Sequence, residues 1–152
     1  MKALVQRVLK SELKIEGKEH SKIGKGLIVF LGVTHDDTEL EAKVLAEKIC
    51  KLRIFEDEND KMNLAIKDVN GELHIISQFT LYADCHHGNR PSFINAAKPE
   101  IANELYEKFI SFCKEESGLN VETGVFGADM KIDYINDGPI TIMLECTKGK
   151  IL

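Results

Sequence analysis

Residues 77–93, with the sequence SQFTLYADCHHGNRPSF, concentrate the side chains of this 152-residue chain that could carry out chemistry. Ser77 and Thr80 offer hydroxyl nucleophiles, which would need a base held beside them. The consecutive residues 85–87, Cys-His-His, offer the sulfur and nitrogen atoms that commonly bind zinc. The segment therefore raises two hypotheses, a nucleophile site and a metal site.

The metal hypothesis is disfavoured by the spacing of the ligands. Adjacent residues on a strand point to opposite faces, and ligand pairs in metal sites are usually separated by two or more residues. Gly88 and Asn89 follow immediately and are typical of a turn. We interpret residues 85–89 as a solvent-exposed turn and predict no metal site.

The nucleophile hypothesis lacks an obvious base. The chain has neither a Gly-x-Ser-x-Gly elbow nor a P-loop. His74 lies three residues before Ser77, so the two side chains would point to opposite faces of a strand. His86 and His87 could fold back towards the hydroxyl groups. A Ser or Thr nucleophile therefore stays an open hypothesis, beside that of a polar strand end.

A second candidate segment is residues 136–141, NDGPIT, between two apolar strands. Asn-Asp-Gly-Pro is a turn signal, and Pro139 has no N–H to donate to a sheet. A cis Gly138–Pro139 unit would orient two carbonyl groups in a way that a trans unit does not. Most X-Pro bonds are trans, so the residue pattern alone favours an ordinary hairpin turn.

The elements that must position these segments are mostly strands. Residues 3–13 alternate as a strand with Leu4, Gln6 and Val8 on one face, and a hairpin follows around Glu16-Gly17. The apolar run 26–33, GLIVFLGV, predicts a buried strand. Further strands are predicted at residues 52–55 and 72–81, separated by the polar turn EDENDK, and near residues 120–126, 130–136 and 140–146.

Two helices interrupt the strands. Thr38 and Glu41 have capping-box spacing, and apolar residues then recur with helical period to about Leu52. The second helix begins at Pro99 and ends at Gly118. Because helices and strands do not alternate one for one, we predict an α+β fold. It has a curved, barrel-like sheet with two packed helices, in a single domain over residues 1–152.

Composition excludes several classes of protein. Hydrophobic content of 43% and charged content of 30% are ordinary for a soluble globular chain. The four cysteines are widely spaced without a Cys-x-x-Cys pair, which favours reduced thiols over a disulfide framework. No apolar run approaches the ~20 residues that span a bilayer, and the first residues do not form a signal peptide. We expect a cytoplasmic protein with no membrane partner.

Charge is unevenly distributed along the chain. Residues 1–35 contain seven Lys or Arg and three Glu, a net charge of +4, whereas the remainder contains 13 basic and 22 acidic residues, a net charge of −9. The total of −5 does not indicate nucleic-acid binding. The N-terminal lysines form either a basic patch or separate solvated side chains, and the sequence leaves both open.

Two motifs in order, with their flanks, carry a resemblance to a known family. The first is Ser77-Gln78-Phe79-Thr80 within SQFTLYAD, and the second is Asn-x-Gly-Pro-x-Thr at residues 136–141. The segments IGKGLIVFLGV, KICKLRIFEDENDKMN and ETGVFGADM extend the similarity over essentially the full length. The chain resembles the D-aminoacyl-tRNA deacylases.

The resemblance implies an enzyme that hydrolyses the ester bond of D-aminoacyl-tRNA and of mischarged glycyl-tRNA. This activity is a proofreading step in translation that rejects L-amino acids. The resemblance also implies a homodimer whose active site lies at the subunit interface and binds the 3′-terminal adenosine. It implies no metal or organic cofactor, and tRNA rather than DNA as the partner. Finally, it implies a cis Gly138–Pro139 bond inserted into the other subunit's site, against the general preference for trans.

The resemblance also suggests roles for individual residues. The catalytic wall comprises Ser77, Gln78, Phe79 and Thr80; substrate binding and chiral selection involve Gly138, Pro139, Asn136, Thr141 and Arg7; the adenosine pocket includes Phe126 and Met130. We expect backbone N–H groups near Phe79 and Thr80 to bind the ester carbonyl, while the 2′-hydroxyl of the adenosine helps to activate water. Thr80 as a covalent nucleophile is the competing mechanism.

One departure from the family concerns the loop after Asp84, which is usually rich in Arg and Lys. Here it reads CHHGN and only Arg90 is permanently charged, which weakens the loop as a phosphate contact. Two rival functions also remain open. One is a catalytically silent RNA-binding module that uses the N-terminal basic third, and the other is an unrelated esterase with a Ser or Thr nucleophile.

Overall fold

The computed structural model describes residues 1–152 as a curled half-barrel sheet with two helices, in one domain. This confirms the predicted α+β class. The elements are β1 (Lys2–Ile15), β2 (Lys18–Ile23), β3 (Gly26–Gly32), α1 (Glu39–Lys51), β4 (Phe55–Glu56), β5 (Met62–Leu64), β6 (Glu72–Ser77), a 3-10 helix (Phe79–Tyr82), α2 (Pro99–Ser117), β7 (Val121–Thr123), β8 (Met130–Thr147) and β9 (Lys150–Ile151).

The main sheet has the order β7-β6-β3-β1-β8-β9, with β2 paired to the second half of β1. The β3–β6 and β6–β7 pairs are parallel, and the other pairs in this sheet are antiparallel. Strands β4 and β5 form a separate hairpin. No helix combines the length and apolar character needed to cross a bilayer.

The helices cover one face of the sheet, which we call the helix face. Its core contains 26 buried residues, drawn from both helices and from β1, β3, β6 and β8. Every residue of β3 is buried, as predicted. The predicted capping box is confirmed, because Glu41 accepts from the Thr38 N–H while Thr38 Oγ1 accepts a backbone N–H. Gly118 ends α2 in the left-handed conformation, also as predicted.

The opposite face, which we call the concave face, is only partly covered. Six buried residues form its core: Val8, Leu13, Ile23, Ile28, Phe30 and Ile76. Leu4 packs against this cluster, in line with the predicted strand face, and Tyr134 does so from β8. The predicted hairpin at Glu16-Gly17 is confirmed, with positive φ at both residues.

The predicted strand over residues 72–81 is wrong in its second half. β6 ends at Ser77, and Phe79–Tyr82 form a 3-10 helix. Tyr82, the last residue of this helix, is buried and packs so closely against β3 that a Cβ at Gly32 would lie 3.2 Å from its ring. Tertiary packing therefore bends the chain away from the sheet where the residue pattern continues to favour a strand.

Three other strand predictions were also too long or wrongly divided. Of residues 52–55 only Phe55 is in a strand, paired with Leu64, and of residues 120–126 only Val121–Thr123 are. The predicted turn at residues 136–141 does not reverse the chain. Residues before and after it belong to the single strand β8, which pairs with β1 on both sides of the interruption.

Candidate active site

A cavity of about 780 Å³ opens beside the end of β6. Its volume lies within the range of small-molecule sites. The lining is mostly apolar and comes from residues 76–79, 93–94, 96–99, 102, 126–130 and 132. The cavity therefore brings the first motif together with the segment before β8 and with the start of α2.

The first motif presents backbone donors rather than an activated side chain. The Gln78 N–H donates to the Leu31 carbonyl at 2.7 Å, which is the last hydrogen bond along this edge of β3. The Gln78 side-chain amide donates to the Thr80 hydroxyl. Phe79 and Thr80 are the first two residues of the 3-10 helix, and the first N–H groups of a helix have no acceptor within that helix. Two adjacent donors are thus available to bind an oxygen atom.

No histidine stands beside the two candidate hydroxyls. His74 is fully buried, and its ring nitrogens lie 2.9 and 2.8 Å from the hydroxyl oxygens of Ser11 and Ser21. His86 instead contacts Asp84, donating its N–H at 2.9 Å. Hydrogen bonds from His86 lower the pKa of the Asp84 carboxyl. His86 is therefore engaged in its own loop, and no group of three or more potential metal ligands lies together.

The second motif forms a bulge in β8. Gln6 pairs with Thr141 and Val8 pairs with Asn136, so four residues, 137–140, stand opposite Arg7 alone. Gly138 and Pro139 are exposed at this bulge, and the peptide bond between them is cis. Such an insertion bends the strand locally and leaves the extra residues unpaired, so they project from the sheet.

Polar contacts hold the bulge from the concave face. Asn136 accepts the Ile140 N–H at 2.9 Å and donates to the Thr141 hydroxyl at 3.0 Å. Gln6 also donates to the Thr141 hydroxyl, at 2.9 Å, and accepts from the Tyr134 hydroxyl at 2.8 Å. The two ends of the bulge are therefore fixed to each other and to β1.

Arg7 holds the bulge from the helix face. Its side chain is buried, donates from Nε to the Asp137 carbonyl at 3.1 Å and from Nη1 to the Ile54 carbonyl at 2.8 Å. The Asp137 and Glu56 carboxylates lie 3.3 and 3.7 Å from the guanidinium. Since a buried arginine needs such partners, the Arg7 charge and the peptide group before Gly138 fix each other.

The two groups of predicted site residues do not meet within one chain. Ser77, Gln78 and Phe79 line the cavity with Phe126 and Met130, while Thr80 lies just outside the lining. None of the second group contributes to the cavity: Arg7, Asn136, Gly138, Pro139 and Thr141.

Sequence reasoning missed much of the cavity wall. Phe93 and Ile94 lie on its rim, and the Phe93 ring packs edge-on against Phe79 with centroids 5.0 Å apart. Lys98 and Pro99 bring the start of α2 to the opposite side. The structure leaves Phe93 exposed, and apolar side chains that stay exposed often mark binding sites, but the sequence does not reveal this exposure.

Solved structures share this fold. A structure described as the c-Myc DNA Unwinding Element Binding Protein superimposes with a TM-score of 0.90 at 38% identity, covering 97% of this chain and 99% of that chain. A second, titled a structural analysis of a probable eukaryotic D-amino acid tRNA deacylase, gives a TM-score of 0.81 at 16% identity, over 93% and 97% of the two chains. The half-barrel sheet with its two helices is thus a fold that these solved structures share.

Sequence comparisons identify the family. The family model described as D-Tyr-tRNA(Tyr) deacylase matches residues 4–145. Proteins named D-aminoacyl-tRNA deacylase from Thermosipho africanus and Clostridioides difficile are 53% and 52% identical, covering 97% and 98% of this chain and 99% of each relative. The chain belongs to the D-Tyr-tRNA(Tyr) deacylase family. The predicted resemblance and the prediction of an enzyme are both confirmed.

Proposed function

We propose that this chain hydrolyses the ester that joins a D-amino acid, or glycine, to the terminal adenosine of tRNA. The observation that carries the proposal is the cavity beside the start of the 3-10 helix, where Phe79 lines the wall and Thr80 lies just outside it. The apolar lining suits an adenosine, and the backbone N–H donors of these two residues suit the oxygen of an ester carbonyl. Family membership supports the choice of substrate.

The proposed catalytic step uses backbone donors and the substrate's own hydroxyl. Water attacks the ester carbonyl, the negative charge on the carbonyl oxygen is stabilised by the N–H groups of Phe79 and Thr80, and the adenosine 3′-oxygen leaves. The neighbouring 2′-hydroxyl helps to activate the water. Thr80 is a poor nucleophile in this arrangement, because its hydroxyl contacts the Gln78 amide and no base.

The proposed chiral filter is the bulge of β8 from a second copy of the chain. Gly138 and Pro139 are exposed and lie outside their own cavity, while the contacts of Arg7 and Asn136 hold the bulge rigid. Rigid carbonyl groups can accept hydrogen bonds from the substrate α-amino group and obstruct the direction that an L side chain takes. Glycine has no side chain and would pass this filter.

The proposed homodimer follows from the same division of residues and from the concave face. Half-buried apolar side chains on that face have no helix over them, and a second copy would cover them. The assembly would bring one subunit's Gly138–Pro139 to the other's cavity. We propose a cytoplasmic location, because aminoacyl-tRNA is the substrate.

Deacylation of matched D-tyrosyl-tRNA and L-tyrosyl-tRNA tests the function directly. We expect release of D-tyrosine at a rate at least ~100-fold above that of L-tyrosine, as expected when a rigid group rejects one enantiomer. Small aryl esters should not be turned over. Binding of tRNA without turnover would instead support the silent RNA-binding module, and hydrolysis of aryl esters would support an unrelated esterase.

The Pro139→Ala variant tests the filter. Because this change alters the rigid tip while leaving the anchoring contacts of Arg7 and Asn136, we expect L-tyrosyl-tRNA hydrolysis to rise relative to D-tyrosyl-tRNA hydrolysis. The ratio of kcat/KM values for the two substrates is the measurement. A folded variant that discriminates as well as the wild type would show that selection lies elsewhere.

A further inference from the structure

A network of buried hydrogen bonds, centred on His74, lies behind the cavity. This side chain is fully buried between two serines, with Nδ1 2.9 Å from Ser11 Oγ and Nε2 2.8 Å from Ser21 Oγ. Ser21 Oγ in turn donates to the Thr123 carbonyl at 2.7 Å. Burial, and then the nearby charge of His20, lower the pKa of His74 to about 4. The imidazole is therefore neutral at pH 7.

The direction of the hydrogen bonds follows from the number of protons available. The single hydroxyl proton of Ser21 is donated to the Thr123 carbonyl, so towards His74 this oxygen can only accept. Nε2 must then carry the imidazole proton, and Nδ1 accepts from the Ser11 hydroxyl. Every polar group in this hydrogen-bond network is satisfied. The network is therefore a rigid link inside the protein.

The network joins elements that are not neighbours in the sheet. Ser11 lies on β1, Ser21 on β2, His74 on β6 and Thr123 at the end of β7, whereas β3 separates β1 from β6 in the strand order. The hydrogen bonds therefore cross the inside of the curl. They tie the β1–β2 hairpin to the far edge of the sheet.

Both walls of the cavity start from this link. Three residues after His74, β6 reaches Ser77 and the first motif. Directly after Thr123 comes the segment that contributes residues 126–130 to the opposite wall. Gly124 lies against that wall, because a Cβ at this position would be 2.5 Å from the Met130 sulfur. Only two residues separate Thr123 from Phe126, so a shift of the Thr123 carbonyl would be passed along the backbone to the wall.

We propose that Ser21 and His74 are positioning residues, which hold the Thr123 carbonyl and so fix the wall of residues 126–130 against the first motif. The inference rests on the proposed function, in which this wall binds the terminal adenosine. The wall lies away from the ester bond that breaks. Loosening it therefore weakens binding of substrate and transition state together, which raises KM and leaves kcat nearly unchanged.

The test compares two alanine variants that each remove one serine from one imidazole nitrogen. Ser21→Ala breaks the link to Thr123, whereas Ser11→Ala leaves it intact and serves as the matched control. For Ser21→Ala we expect KM for D-tyrosyl-tRNA to rise roughly tenfold with kcat within about twofold, the pattern of lost uniform binding. Hydrogen exchange of the Gly124 and Ala128 amides should also accelerate. Ser21→Thr keeps a hydroxyl and should restore both values.

Circular dichroism establishes that each variant is folded before the comparison is made. Equal changes in KM and in exchange for the two alanine variants, or no change in either, would overturn the positioning role. A wild-type chain that fails to release D-tyrosine would refute the proposed substrate instead. The exchange comparison, which needs no substrate, would then decide for or against the link by itself.

Discussion

The two faces of the sheet differ in how completely the chain covers them. The helix face buries 26 residues beneath α1 and α2, whereas the concave face buries six and leaves as many apolar side chains half-exposed. The helix face follows the ordinary rule that an apolar sheet face packs against helices. The concave face instead carries the buried histidine and the part of the cavity wall formed by Ile76, Met130 and Ile132. The comparison indicates that the helix face supplies most of the buried core, whereas the concave face leaves apolar surface that a ligand or a second copy can cover.

The largest effect on stability should come from the helix face. Leu45 on α1 is fully buried, so Leu45→Ala should lower the free energy of unfolding by about 3–4 kcal/mol, through lost burial and the cavity left behind. Leu4 on the concave face is half-buried, and Leu4→Ala should cost only about 1–2 kcal/mol. Urea denaturation measures both, at a protein concentration low enough for sedimentation to show a monomer, because a second copy on the concave face would bury Leu4. Equal losses would contradict the division of the molecule into a covered and an uncovered face.

The next effect concerns assembly. Met143 is 51% exposed and pairs across the strands with Leu4, which packs on the concave face. Met143→Asp should therefore produce a folded monomer and reduce D-tyrosyl-tRNA deacylation at least ~100-fold, or about 2.7 kcal/mol.

Ile135 is 45% exposed but follows Tyr134, so it points to the other face. Ile135→Asp is the control and should keep both the dimer and the activity, as measured by sedimentation and by initial rates. An active, dimeric Met143→Asp protein would contradict the proposed assembly.

A third prediction uses pH to probe the buried histidine. The pKa of His74 is about 4 in the folded chain and near 6.5 when unfolded, so between these values the unfolded state binds more protons. This contribution to stability is complete above pH 6.5 and is lost as the pH falls. Between pH 7 and pH 5 the loss should be about 2 kcal/mol. Carboxyl groups of the unfolded chain titrate mostly below this window.

His74→Asn provides the comparison for that measurement. The variant should be less stable at pH 7, yet the free energy of unfolding from urea denaturation should depend much less on pH between 7 and 5. A wild-type slope that persists unchanged in His74→Asn would show that another group is responsible.

The smallest effect should be that of the Thr80 hydroxyl. Thr80→Ala keeps the backbone N–H, which is the group assigned to the ester oxygen, and removes only the contact with Gln78. We expect less than about a tenfold loss in kcat for D-tyrosyl-tRNA, far below the loss of a covalent nucleophile. A loss of several orders of magnitude would establish covalent catalysis by Thr80 and refute assistance by the RNA.

Local rules predicted the parts of the fold that depend on neighbouring residues. The Thr38–Glu41 capping box, the hairpin at Glu16-Gly17, the buried run of β3 and the start of α2 at Pro99 were all correct, because each is set by a few adjacent side chains. The 3-10 helix was missed since it depends on Tyr82 packing against Gly32, far away in the sequence. The bulge in β8 was mistaken for a hairpin because Asn-Asp-Gly-Pro suits both structures.

The site was partly accessible for the same reason. Ser77, Gln78, Phe79, Phe126 and Met130 were chosen from motifs, and the structure brings them to one cavity. The remaining wall, at residues 93–99, has no local signature and depends on how α2 docks. The role proposed for His74 was also out of reach, because its partners Ser11 and Ser21 come from β1 and β2. Thr123, which accepts from Ser21, comes from β7.

The bulge opposite Arg7 has a consequence for how this fold can vary. Both of its ends are paired to β1, at Gln6 and at Val8, so residues can be gained or lost between them while the ladder on either side keeps its register. The reach of the Gly138–Pro139 tip is therefore separable from the architecture that carries it. In the proposed assembly, changes in these four residues would alter substrate selection in related proteins without changing the rest of the sheet.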